Sequence, residues 1–186
     1  MAYGSYCTQI DPSGSGGMRC GPACVASVLL DDGYQSDPWQ LTLQLDSEID
    51  PAKDGTTAQD LVRLGEAHGL AGNLWYSWND AIVALDNGGA VLCLLDNRHL
   101  LPRSYPNGES WNAMHWIRVV ARGDRDDMCY IYDPLTYLYQ PDGSVYQGPV
   151  ASTTEQITAA IMATAYSEAG SILWSLQGKN LNSRKG

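Results

Sequence analysis

The spacing of apolar residues changes about halfway along the chain, and that change predicts helices first and strands afterwards. Over 21 to 30, Pro22 fits a first turn, Val25, Val28 and Leu29 follow at helical spacing, and DDG at 31 to 33 closes the segment. A second helix is predicted after Ser36-Asp37-Pro38, with Asp37 capping the free backbone N–H groups and Pro38 at the first helical position. Leu61, Val62, Leu64 and Ala67 mark a third over 57 to 68, which Gly69 can end in a left-handed conformation. WNDAIVALDNGG at 78 to 89 reads as a fourth with the same glycine stop.

Beyond residue 89 the period shortens. AVLCLLD at 90 to 96 is a continuous apolar run suited to a central strand, and AMHWIRVVAR at 113 to 122 alternates as a strand buried mainly on one side. GDRDD then turns the chain into MCYIYD at 128 to 133, and TYLYQPDGSVYQG at 136 to 148 reads as a hairpin about PDG. Ser152 with Glu155 offers a capping box for a helix through about 165, and SILWSL at 171 to 176 supplies a last strand. Helices followed by an antiparallel sheet predict an α+β fold. One domain over 1 to 178 accommodates all of this, with 179 to 186 as a polar, flexible tail.

Composition narrows the functions open to such a domain. The 186 residues are 44% hydrophobic with a mean hydropathy of -0.25, and no apolar run approaches the roughly 18 residues of a membrane span. A net charge of -10 repels phosphate polymers, which argues against nucleic-acid partners. The first twenty residues lack the basic start and apolar centre of a secretion signal, so the expected location at synthesis is cytoplasmic. Five irregularly spaced cysteines with no CxxC pair fit neither a disulfide framework nor a zinc site, and no metal or cofactor is expected.

The chemistry starts at Cys20. A thiol at a helix start gains thiolate character from the helix end and far more from a neighbouring imidazolium; in isolation, CGPA equally suits a small buried cysteine. Of three histidines, His68 closes a helix and His99 lies in a polar loop, whereas His115 opens an alternating strand. Pairing residue 122 with 128 across the turn sets Asp133 opposite 117 and diagonal to His115 on one sheet face, at a backbone separation of about 7–8 Å. A slip of one residue would put the two groups on opposite faces. Cys24 lies one turn beyond Cys20 and either packs or pairs with Cys7, packing being favoured; Cys93 and Cys129 read as core residues. Trp111, Trp116 and neighbouring tyrosines line a substrate groove or fill a core that has no phenylalanine.

These elements resemble the papain-like cysteine peptidases, and among them the bacterial double-glycine leader peptidases and their stand-alone relatives, including phage lysin-type domains. The resembling stretches are Gln9-Ile10-Asp11, CGPACVASVLL at 20 to 30, DGTTAQDLVRLGEAHGL at 54 to 70, HWIRVVA at 115 to 121 and YIYDPL at 130 to 135. The resemblance implies a papain-like fold with N-terminal helices packed on a C-terminal antiparallel sheet. It implies Cys20 as nucleophile, His115 as general base and acid, Asp133 as the group orienting His115, and Gln9 with the Cys20 N–H as oxyanion donors. Gln9 stands eleven residues before Cys20, farther than the family's usual spacing, with a Gly/Ser stretch between. Gly21, Trp111 and Trp116 are the expected substrate contacts.

The activity so implied is cleavage of an amide bond through a thioester, with a peptide or a peptidoglycan stem peptide as substrate. Transfer of the acyl group to another acceptor would use the same residues. Virion carriage or release at lysis is the route outward that the lysin relatives imply. The alternative from another class is a structural or interaction protein, such as a virion component, that keeps the fold for binding. Retention of Cys20, His115 and Asp133 together speaks against it.

Overall fold

A computed structural model describes residues 5–9, 18–49, 55–75, 77–96, 114–123, 125, 127–135, 138–139, 145–146, 149–165 and 173–178. Helix α1 (Cys20–Asp31) is apolar on every side, and Gly21 through Leu29 are all buried, as expected of a helix that runs through the core. Three other helices start on side-chain caps, each of a kind that contributes about 0.5–2 kcal/mol. Asp37 accepts from the N–H groups of Trp39 and Gln40 to open α2 (Pro38–Ser47). Thr57 and Asp60 exchange reciprocal bonds at the start of α3 (Ala58–Ala67), and Ser77 caps α4 (Trp78–Asp86). Gly33, Gly69 and Gly88, just past three of these helices, have φ of +97°, +89° and +85°, a conformation that favours glycine.

The strands are β1 (Leu70–Trp75), β2 (Ala90–Asp96), β3 (Met114–Arg122), β4 (Met128–Tyr132), β5 (Leu138–Tyr139), β6 (Val145–Tyr146), β7 (Val150–Thr153) and β8 (Leu173–Gly178). Helix α5 (Thr154–Ala165) lies between the last two. Six strands form one antiparallel sheet in the order β1-β8-β2-β3-β4-β7, and β5 pairs with β6 as the predicted hairpin. The α+β reading is therefore correct. Strands β1 and β7 are additions to it, and the last strand is described over Leu173–Gly178, residues 171 and 172 of the predicted strand lying outside the described residues.

Two apolar clusters sandwich the sheet. Leu92, Leu94 and Trp116 pack with α1, α2 and α3 on one face; Val91, Cys93, Leu95, Ile117 and Val119 pack with α4 and α5 on the other. This explains the unbroken apolar run of β2, every residue of which is buried. It also corrects the reading of β3, which is buried on both sides from His115 to Val119 because α4 and α5 cover the second face. The capping box of α5 is shifted by one residue from the predicted pair: Thr153 and Gln156 bond reciprocally, while Ser152 is fully buried in β7. The proposed tail at 179–186 lies outside the described residues.

Between β3 and β4 the register changes. Arg122 pairs with Cys129 near the turn, one residue off the predicted pairing of 122 with 128. An irregularity between Val119 and Ala121 then absorbs one residue, and Val119 pairs with Ile131 and Arg118 with Tyr132. Continued by one residue, that register sets Asp133 opposite Ile117, as predicted.

Candidate active site

Cys20 is the first residue of α1, so its backbone N–H has no partner within the helix, and its thiol sits at the helix end that favours a negative charge. The thiol is partly buried. Burial by itself would raise its pKa. The hydrogen bond to His115 and the charge of that ring, joined by the backbone N–H groups of Trp116 and Gly21, outweigh burial and hold Cys20 below its ordinary value.

His115 and Asp133 are both buried, with Nε2 of the ring 2.7 Å from Oδ1 of the carboxylate. That leaves Nδ1 as the ring nitrogen for Cys20. The backbone N–H of Leu135 donates to the same Oδ1 at 2.9 Å and fixes the carboxylate in place. Burial opposes charging of the ring, but the Asp133 carboxylate and its hydrogen bond, with Cys20 on the other side, push the His115 pKa up to about 10. The two shifts point the same way, toward thiolate and imidazolium at neutral pH. Asp133 reaches its place because the register change within β3 and β4 returns it to the His115 side of the sheet.

Gln9 is fully buried, and its backbone N–H donates to the carbonyl of Pro134 at 3.0 Å. Tyr6 Oη donates to the Asp133 carbonyl and Thr8 Oγ1 to that of Pro134. Residues 5–9 thus lie along the turn that carries Asp133, which brings Gln9 to the same neighbourhood by a route the sequence did not display.

Of the expected substrate contacts, Trp116 is buried, and its indole Nε1 donates to the Thr56 carbonyl at 2.8 Å. Gly21 is the point of closest approach of Thr56 and Leu61, where an added Cβ would meet Thr56 Cβ at 2.8 Å and Leu61 Cδ2 at 2.9 Å. Gly21 and Trp116 therefore hold the segment before α3 against the start of α1. Trp111 lies outside the described residues. Thr56 and Arg118 carry no signal in the sequence, since a threonine before a capping box and an arginine within a strand look ordinary in isolation.

The remaining cysteines are free and buried. Burial raises the thiol of Cys7 to about 12 and those of Cys24, Cys93 and Cys129 above their ordinary value, so none has the environment of Cys20. Among the described residues, no helix is long and apolar enough to cross a membrane.

No family model and no curated protein sequence matches the chain. Solved structures do. A protein described as a C39-like peptidase from Bacillus anthracis is similar over 94% of each chain, with a TM-score of 0.63 and 14% identity. The peptidase domain of Streptococcus ComA, a bifunctional ABC transporter of a quorum-sensing pathway, is similar over 95% of this chain and 99% of its own, with a TM-score of 0.57 and 18% identity. A double-glycine-motif protease from an AMS/PCAT transporter, solved in complex with the leader peptide, gives a TM-score of 0.51 at 15% identity over 94% and 93% of the two chains. The chain has the fold of the C39-like, double-glycine leader peptidases, a papain-like arrangement of N-terminal helices against an antiparallel sheet.

Proposed function

We propose that this protein is a cysteine peptidase that cleaves an amide bond in a peptide substrate through a thioester on Cys20. The observation that carries the reading is the buried His115, bonded to Asp133 on one nitrogen and to Cys20 on the other. In the proposed cycle the Cys20 thiolate adds to the scissile carbonyl. The oxyanion that forms accepts hydrogen bonds from the Cys20 backbone N–H and the Gln9 side-chain amide, and loss of one such donor costs about 3 kcal/mol of barrier. Imidazolium His115 gives its proton to the leaving amine as the C–N bond breaks, which leaves a thioester and neutral His115. Neutral His115 then takes a proton from water as the water attacks the thioester. The acid departs, and thiolate and imidazolium are restored.

A peptide substrate is supported by the structural relative that holds a leader peptide. Cell-wall stem peptides are the second source of such amide bonds, although a net charge of -10 would be repelled by anionic wall polymers. Wild type and Cys20→Ala, incubated in parallel with a synthetic peptide library containing double-glycine sequences and with purified peptidoglycan, test the reading by mass spectrometry of the products. Cleavage by wild type alone is expected, and the arm in which fragments appear names the substrate source. Identical product profiles from the two proteins in both arms would overturn the assignment.

A further inference from the structure

Arg118 lies three residues beyond His115 on β3 and is buried, an expensive position for a cation unless it is paired and bonded. Nη1 donates to Ser27 Oγ at 2.6 Å, and Nη2 lies 2.6 Å from Asp31 Oδ2. Both partners are on α1 and both carry the contact onward to the same residue. Ser27 Oγ donates to the Ser5 carbonyl, and Asp31 Oδ1 accepts from the Ser5 N–H, each at 2.5 Å. The backbone of Ser5 is therefore gripped on both polar groups by the two side chains that Arg118 orients. At its other end the same short segment is tied to Pro134 by Thr8 and Gln9.

Resting on the reading of Gln9 as an oxyanion donor, we propose that Arg118 is a positioning residue. Through Ser27 and Asp31 it holds residues 5–9 so that the Gln9 amide stays aimed at the carbonyl under attack. Gln9 stands eleven residues before Cys20, so proximity in the chain does not set the distance between them. The contacts of Ser5 supply a fixed point on the far side of Gln9, and Arg118 organises that fixed point from inside the core. A donor held slightly off its productive position loses most of its value in the transition state.

Two reactions of the same sulfur separate positioning from general damage. With 4-nitrophenyl acetate the thiolate adds to the ester carbonyl, an oxyanion forms, and 4-nitrophenolate leaves as the thioester is made. With iodoacetamide the thiolate displaces iodide at a saturated carbon and no oxyanion forms. Cys20→Ala supplies the background for both. Gln9→Ala is expected to slow acylation about a hundredfold and alkylation less than about twofold. Arg118→Met should slow acylation at least about tenfold with the same small effect on alkylation, and should add nothing in the Gln9→Ala background. Ser27→Ala, which leaves Arg118 and Asp31 in place, should show the same selective loss and serves if Arg118→Met does not fold.

The proposal is overturned if Arg118→Met or Ser27→Ala keeps the wild-type acylation rate, slows both reactions equally, or costs the same factor with and without Gln9. If Gln9→Ala itself leaves acylation unchanged, the oxyanion reading fails, and the role of Arg118 falls with it. Wild-type alkylation no faster than that of a free thiol instead removes the activated nucleophile, a separate failure that the same experiment identifies.

Discussion

Replacement of Asp133 by Asn keeps the shape of the side chain and an oxygen for the Leu135 N–H, but removes the charge that faces His115. With that charge gone, burial dominates the ring, its pKa falls, and the proton returns to Cys20. The size of the effect follows from proton occupancy. A thiol at its ordinary value of 9.0 holds about 0.1% thiolate at pH 6, so a fully formed thiolate–imidazolium pair raises the reactive fraction about a thousandfold. A more acidic thiolate is also a weaker nucleophile, with a Brønsted coefficient of about 0.4–0.5, which takes back part of that gain. The slope is more decisive than the rate. Between pH 6 and 8 a free thiol becomes about a hundredfold more reactive, whereas the wild-type Cys20 rate should stay nearly level. Stopped-flow alkylation by iodoacetamide across that range, followed by mass spectrometry to locate the label, should give a level profile for wild type. Asp133→Asn should restore a steep rise and be slower than wild type at pH 6. A wild-type rate that climbs tenfold per pH unit, or a level profile that survives in Asp133→Asn, would refute the ion-pair reasoning.

Gly21→Ala should lower stability by about 1–3 kcal/mol in urea denaturation, because its Cβ would press on Thr56 and Leu61 near 2.8 Å; an unchanged midpoint would show that the segment yields freely. Trp116→Phe keeps most of the buried ring but removes the donor to the Thr56 carbonyl, for an expected loss of about 1–2 kcal/mol by the same measurement. Stability against pH should separate His115 from Cys20. The raised His115 pKa contributes stability that is full below about 6.5 and lost as pH rises through about 10; the lowered Cys20 pKa contributes above about 9 and is lost as pH falls. In wild type the two contributions oppose each other between those ordinary values. In Cys20→Ser the part of the His115 shift that comes from Asp133 remains without the opposing Cys20 contribution, and stability should fall from about pH 6.5 to about 8.5 more steeply than in wild type. Deletion of Val120, the extra residue at the irregularity in β3, should join the Ala121–Tyr130 pair directly to the Val119–Ile131 pair and keep Asp133 opposite Ile117, so Cys20 activation should survive; loss of rapid alkylation at about pH 6 with circular dichroism retained would refute the register account.

The helices were legible because their ends carry local chemistry. Asp37 with Pro38 and the glycines at 69 and 88 act on backbone groups within a turn of themselves, so their effect does not wait for tertiary structure. Strand β1 was not legible. LAGNLW has little alternation and holds a glycine and an asparagine, and it becomes a strand by pairing with β8, a partner about a hundred residues away. The shifted cap of α5 has a similar cause: Ser152 is drawn into β7 by pairing with Cys129, which leaves Thr153 to meet Gln156.

The register expected from the turn is wrong at the turn itself and right at His115 and Asp133. Pairing 122 with 128 at the turn is off by one, since Arg122 meets Cys129. Had that observed register continued, Asp133 would stand opposite Arg118, on the face of Trp116 and away from the imidazole. The irregularity between Val119 and Ala121 restores the register before the strand reaches the site. A bulge has no signature in RVVAR, so sequence alone offers no way to see the correction. Physically, the buried bond between His115 and Asp133 at 2.7 Å and the pairing of β3 with β4 are one arrangement.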